Sequence, residues 1–240
     1  MDDRKKLALV GYGKMGRLVE QLAPQHGFEV ALRLSSTGNS HGRAITRDAF
    51  GGIAVAIEFT TPEAAPDNLK RLAEAGVQAV SGTTGWYDKL EPVTEAVQKA
   101  GTGLVWSPNF SVGVAVFRRL VTEAAQLLKN EDGYGAWAWE IHHDSKKDAP
   151  SGTLLRLVEA MKRQGYNRLI DVSASRAGRH PGTHEVGFDS AADTITLRHV
   201  ARSREGFVHG ALKAARWVIG RSGVHTFDEV LFGSSESAAD

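Results

Sequence analysis

Short apolar runs alternate with amphipathic stretches through the first half of the chain. Leu7 to Val10 reads as a buried strand that ends at a glycine turn, and the next stretch sets Met15, Leu18, Val19 and Leu22 on one helical face. Phe28 to Leu34 predicts a second strand, and Ile53 to Phe59, rich in β-branched residues, a third. Pro62 opens a helix through Glu74 that Gly76 ends. Val77 to Val80, a helix from Lys89 to Lys99, and Gly103 to Trp106 continue the alternation. Strands separated by helical patterns predict an α/β fold: a Rossmann-type, doubly wound parallel sheet with helices on both faces.

The pattern then changes. Val112 to Leu128 reads as one long helix, Ala136 to His142 as an alternating strand, and Gly152 to Gln164 as another helix. Three strand-like runs follow, Ile170 to Ser175, His184 to Phe188 and Thr194 to Val200. They predict a second α+β domain built on an open mixed sheet. Phe207 to Ile219 reads as a helix that packs back onto the first domain. The expected division is residues 1–111 plus 205–240 for dinucleotide binding and 112–204 for substrate binding and oligomerisation. Past Phe232 the residues are small and polar and read as a frayed end.

Composition narrows the chemistry. Of 240 residues 42% are hydrophobic and 24% charged, an ordinary globular balance, and the formal net charge of +1 gives no global field toward nucleic acid or a membrane surface. No cysteine is present, which excludes disulfides, thiolate nucleophiles and cysteine metal sites. The first apolar run is too short for a signal-peptide core, and no stretch approaches a transmembrane length. A cytoplasmic enzyme is the expectation.

Gly11, Tyr12, Gly13, Lys14, Met15 and Gly16 follow the first strand and open the first helix. In that setting GxGxxG has a physical meaning: a tight turn, a backbone that approaches a pyrophosphate, and close packing of helix on strand. The free N–H groups of the helix start then face the anion. NAD-binding sites of this kind end the second strand with an acid. Here the strand ends Leu32-Arg33-Leu34-Ser35-Ser36, so positive charge and hydroxyls stand where a 2′-phosphate would be bound. NADPH is the expected cofactor, with NADH as the alternative. Phe59 and Thr60, Gly82 and Thr84, and Ser107, Asn109 and Phe110 sit at later strand ends, where an open parallel sheet binds ligands. Arg204 completes the candidate cofactor set. Helix capping is the plain alternative for any single threonine.

The densest chemistry lies between Glu140 and Thr153. His142, His143, Lys146 and Lys147 crowd a turn fixed by Pro150, and Ser151, Gly152 and Thr153 offer backbone N–H groups at a helix start, a cradle for a carboxylate. Lysine adds a compact cation and histidine a proton at neutral pH. No metal is expected, because adjacent histidines on a strand point to opposite faces and two lysines repel a cation. Ser151 lacks the GxSxG elbow of a nucleophile.

This stretch resembles the signature of dihydrodipicolinate reductases, of the type E-x-H-H-x-x-K-x-D-A-P-S-G-T, from Glu140 to Thr153. The glycine loop through Arg17, the Phe59 loop, Gly82 to Gly85, Asn109 to Gly113, and Arg176-Ala177-Gly178 with Pro181 to His184 are similar as well. The resemblance implies reduction of a cyclic dicarboxylic imine by NADPH or NADH. It implies that His142 is the proton donor or its relay, that Lys146 shares the catalytic role, and that His143, Gly152 and Thr153 hold carboxylates. It also implies a homotetramer assembled through the second sheet. The chain departs from many relatives by being shorter around Ser36 to Gly52 and by the missing acid after the second strand. Two rival readings are a related amino-acid dehydrogenase on the same scaffold and a non-catalytic dinucleotide sensor; the intact histidine–lysine signature argues against both.

Overall fold

The computed structural model describes residues 4–233. The chain divides into two compact units, one formed up to Ser111 and again from Phe207, the other from Val112 to Gly206.

The first unit holds β1 (Lys5–Val10), α1 (Lys14–Leu22), β2 (Phe28–Leu34), β3 (Val55–Glu58), α2 (Ala65–Glu74), β4 (Gln78–Ser81), α3 (Leu90–Ala100) and β5 (Gly103–Trp106). All strands run parallel, in the order β10-β5-β4-β3-β1-β2, with β10 (Gly223–Thr226) supplied by the end of the chain. The two-residue period of a strand explains the doubly covered sheet. Leu7 and Leu9 of β1 point into one core with Val19 and Leu22 of α1, while Ala8 and Val10 point into another with Leu69 and Leu72 of α2. Because β1 is covered on both sides, its last four residues read as a continuous apolar run. Each leucine buried in this way contributes about 1.5–3 kcal/mol.

The second unit contains α4 (Val112–Leu128), β6 (Gly135–His142), α5 (Gly152–Arg163), β7 (Ile170–Arg176), β8 (Thr183–Asp189) and β9 (Thr194–Val200). Its sheet runs β7-β6-β8-β9, with β7 parallel to β6 and the other pairs antiparallel. One face is covered: Phe117, Val121 and Ala125 of α4 and Leu154, Leu157 and Met161 of α5 pack on Ala138, Val186 and Phe188. On the other face Trp137, Trp139 and Ile141 alternate with the buried residues of β6.

One strand and one α-helix among the described residues escaped the sequence pattern, β10 and α7 (Phe227–Phe232), besides short 3-10 turns. β10 is a four-residue edge strand with one aliphatic residue, too short for periodicity to register. α7 is one and a half turns long, but it carries a legible signal: Thr226 and Glu229 form a reciprocal capping box. The second helix starts at Ala65 rather than Pro62, since Thr61–Ala64 forms a turn closed by Ala64 N–H to Thr61 O at 3.1 Å. α6 (Glu205–Val218) begins two residues earlier than Phe207. Apart from Gly233, the polar tail lies outside the described residues.

α6 lies against Phe110 through Gly210, where a Cβ would stand 1.7 Å from the Phe110 carbonyl oxygen. Gly210→Ala is therefore expected to destabilise the first unit by about 2 kcal/mol or more, read as a lower urea midpoint than wild type; an unchanged midpoint would contradict this packing.

Candidate active site

The glycine loop is placed by the sheet. Gly11 N–H donates to Leu34 O at 2.9 Å and Phe59 N–H to Val10 O at 2.8 Å, so the loops after β1, β2 and β3 continue the ladder beyond the strand ends. Gly11 has φ of +97°, and a Cβ there would overlap the Phe59 carbonyl. Gly16 packs as closely on the Gly11 carbonyl, while Gly13 faces open space. Gly13 caps α1 without a side chain, which leaves the N–H groups of the helix start to a ligand. A cavity of about 460 Å³ adjoins this loop, lined among others by Tyr12, Ser35, Ser36, His41, Thr60 and Asp67. Bare N–H groups, a glycine cradle and a cavity at the β1–β3 boundary, where the strand order reverses, fit a dinucleotide. Lys14 is exposed at the first position of α1, and Met15 packs against the core.

The later candidates divide. The Phe59 ring lies where a Cβ on Gly82 would be, so these two form one surface. Thr60 turns inward, however, and so does Thr83 rather than Thr84, which is exposed. Both address Glu58, a fully buried carboxylate missed in the sequence. Glu58 accepts from Ser81 Oγ at 2.6 Å, Thr83 Oγ1 at 2.8 Å, the Thr60 amide at 2.9 Å and the Thr60 hydroxyl. Burial pushes its pKa up against these donors. A lone acid ending an otherwise apolar strand was the available signal. Ser107 and Asn109 close a turn on themselves, Ser107 Oγ donating to Asn109 O at 2.8 Å. Phe110 is not a surface group: its ring is buried against Phe227, centroids 4.9 Å apart. Arg204 is exposed ahead of α6.

At the tip of β2 the arginine is already engaged. Arg33 Nε donates to Glu20 Oε1 at 2.7 Å, its Nη2 bonds the same carboxylate, and Glu20 also accepts from the Tyr12 hydroxyl. The arginine and then the tyrosine hold Glu20 below the usual carboxylate range. An acid is thus present beside the tip, supplied by α1 rather than by β2, and it escaped a search confined to the end of the strand.

The loop between β6 and α5, which carries the histidine–lysine stretch, is organised by Glu140. Strand alternation buries Ala138, Glu140 and His142 on the covered face of β6, and antiparallel register sets His184 of β8 opposite Glu140. Glu140 is fully buried. It accepts from Arg176 Nη2 and from the Ser151 amide, each at 2.8 Å, and from the Ser151 hydroxyl. Arg176 also grips the Asp148 carbonyl, which fixes the loop between β6 and α5. Ser151 is buried and serves as N-cap of α5, accepting from Leu154 N–H at 3.2 Å. Its hydroxyl therefore belongs to the scaffold rather than to a substrate. Gly152 and Thr153 remain half-exposed at the helix start. His143, past the end of β6, pairs its Nδ1 with Ser145 Oγ at 2.9 Å. Lys146 Nζ donates to Asp148 Oδ1 at 2.6 Å; that bond first, with the Gly152 N–H also contributing, holds Asp148 below its ordinary range. The Asp148 carboxylate thus occupies the lysine and the helix start that the sequence offered as an anion cradle.

Burial pushes Glu140 up, but Ser151 and Arg176 more than offset it and leave its pKa lowered. His142 is lowered by burial, with Glu140 acting the other way. His184 is pushed down to about 4, by burial first and then by His142. Glu140, His142 and His184 bring ligand-type atoms within 4.8 Å of one another. The guanidinium on Oε1 and the Ser151 hydroxyl on Oε2 occupy the carboxylate and oppose a cation there. Sequence reasoning gave roles to His142 and His143 and placed His184 in a resembling segment without a role; strand register is what sets it beside Glu140.

Two family models cover most of the chain: one described as dihydrodipicolinate reductase, N-terminus, over residues 5–110, and one described as dihydrodipicolinate reductase, C-terminus, over residues 113–231. The chain is 32% identical over 236 residues to the 4-hydroxy-tetrahydrodipicolinate reductase of Christiangramia forsetii, covering 94% of this chain and 97% of that one. It is 34% identical over 252 residues to the enzyme of the same name from Archaeoglobus fulgidus, with 91% and 96% covered. Among solved structures, a dipicolinate-bound dihydrodipicolinate reductase from Paenisporosarcina sp. TG-14 shares the fold with a TM-score of 0.73 at 19% identity, over 93% of this chain and 97% of that one. An amine dehydrogenase from Mycobacterium smegmatis shares it at 0.62 and 9% identity, over 93% and 95%, so fold alone does not separate these chemistries.

With its pKa pushed down, His184 is expected to make the second unit less stable in acid. The unfolded chain binds the proton near pH 6.5 and the folded one only near pH 4, so this stability is full above 6.5 and is lost as pH falls through that window. His184→Gln is expected to flatten the fall in Tm between pH 6.5 and 4.5 by about 5 °C; parallel curves for wild type and variant would contradict it.

Proposed function

The chain belongs to the dihydrodipicolinate reductase family, and from that premise we propose how its residues divide the work of reducing 4-hydroxy-tetrahydrodipicolinate. The protein is an NAD(P)H-dependent oxidoreductase of the lysine and diaminopimelate route. The observation that carries the residue assignment is the loop from His142 to Thr153, where a lysine, two histidines and an open helix start converge around a carboxylate.

The glycine loop from Gly11 to Gly16, with the surface of Phe59 and Gly82, would hold the cofactor, which supplies a hydride to the substrate ring. Lys146, His143 and the N–H groups of Gly152 and Thr153 bind the substrate carboxylates, Asp148 giving way to one of them. Binding energy from those carboxylates orients the ring. His142 delivers the proton that completes the product, with Lys146 sharing in proton supply or its relay. The homotetramer implied by the resemblance stays part of the reading. The uncovered face of the second sheet, with Trp137, Trp139 and Ile141, is the surface for it, and mass by light scattering checks it. No helix among the described residues is long and apolar enough to cross a membrane.

For the cofactor we propose that NADPH is accepted at least as well as NADH, Ser35 and Ser36 adding donors once Arg33 exchanges Glu20 for a 2′-phosphate.

Purified protein is expected to oxidise NADPH only when a dihydrodipicolinate synthase and its substrates are supplied. Lys146→Ala and His142→Ala should each lower kcat at least about a hundredfold with little change in NADPH affinity. Near-normal kcat in both variants would sink the assignment. For the cofactor, KM for NADPH should not exceed that for NADH, and Glu20→Gln should lower it further by about threefold. A preference for NADH of about tenfold or more would overturn the reading.

A further inference from the structure

The proposed mechanism makes no use of Glu140, yet its placement does more than anchor Ser151 and Arg176. His142 Nδ1 lies 3.6 Å from Glu140 Oε2, just beyond hydrogen-bond range, and is a buried atom that no hydrogen-bond partner meets. The ring is packed on its other side against Gly182, where a Cβ would come within 3.0 Å of Nε2 and Cδ2. His184 stands edge-on to it, centroids 5.0 Å apart and planes at 71°. The carboxylate itself has little freedom, because Arg176 and both polar groups of Ser151 hold it.

We infer that Glu140 is a positioning residue for proton transfer: it holds the His142 ring with Nδ1–H toward its carboxylate, leaves Nε2 for the substrate, and keeps the ring able to carry a second proton. The inference rests on His142 being the donor. In the step, the Nε2–H bond of the imidazolium breaks as that proton bonds to the substrate atom left with an electron pair by the hydride. The ring is left neutral, with its remaining proton on Nδ1 facing Glu140. Without the carboxylate, protonation of a ring in this setting is opposed from several sides. Burial disfavours it, and so do Lys146 of the loop and Arg176 of β7; Asp148 of the loop acts with Glu140, and His184 of β8 adds a second ring that repels when charged. A carboxylate within this distance supports the charged imidazole.

The test is the pH profile of kcat. In Glu140→Gln the alkaline limb, which reports loss of the donor proton, should move down by about one pH unit, with the KM for NADPH unchanged. Glu140→Asp should restore part of the shift. A soluble, folded Glu140→Gln whose limb coincides with wild type overturns the inference. Should the glutamine variant fail to fold, 15N spectra of wild-type histidines decide: the neutral His142 ring is expected as the Nδ1–H tautomer, and an Nε2–H tautomer overturns it. Undiminished kcat in His142→Asn would instead sink the donor assignment, with the tautomer still reporting whether Glu140 sets the ring.

Discussion

A carboxylate cut off from water must have its oxygens met by donors, and in this protein two such groups hold the functional loops in place. An ionised acid left alone in the interior costs several kcal/mol, so each buried glutamate constrains every element that supplies it a donor. Glu58 gathers the residues that follow β3 and β4, and Glu140 gathers β6, β7 and the start of α5. Glu58 ends β3, and Glu140 stands two residues before the end of β6, so each ties down the chain near the point where it leaves regular structure.

The arrangement explains how the proposed catalytic groups are held without extensive packing around them. His142 is buried, yet Lys146 and His143 ride on a loop with few apolar contacts. The loop is fixed at its far end by Arg176, which joins the Glu140 carboxylate to the Asp148 carbonyl, and at its near end by Ala177 N–H donating to His142 O at 2.9 Å. Polar tethers of this kind fix the ends of the loop and leave its surface open to solvent.

Most of the architecture was legible because burial imposes a period. Strand β2, strand β5, helix α4 and strand β9 were read to the residue, each being long or apolar enough for its pattern to stand out. The edge strand β10 was not, since one valine carries no period. Motifs marked the candidate loops for a similar reason: glycines after a strand and a proline before a helix have local causes. What sequence could not supply was pairing across the chain. His184 reaches Glu140 through strand register, Glu20 reaches Arg33 from a different element, and the inward turn of Thr60 and burial of Phe110 depend on neighbours far along the chain. Ser151 shows the limit from another side, since its place in a motif says nothing of which way its hydroxyl points.

The Lys146–Asp148 pair, with the Gly152 amide beside it, changes what ligand affinity means at this site. Under the proposed carboxylate-binding role, a carboxylic ligand enters by exchange rather than by addition: one oxyanion leaves the lysine as another takes its place. The tally of ionic contacts is then conserved for that group, so its share of the affinity should vary only gently with ionic strength. Discrimination among acids would come from the shape and spacing of their remaining groups, and small monocarboxylates, which offer nothing more than the aspartate already does, would compete poorly.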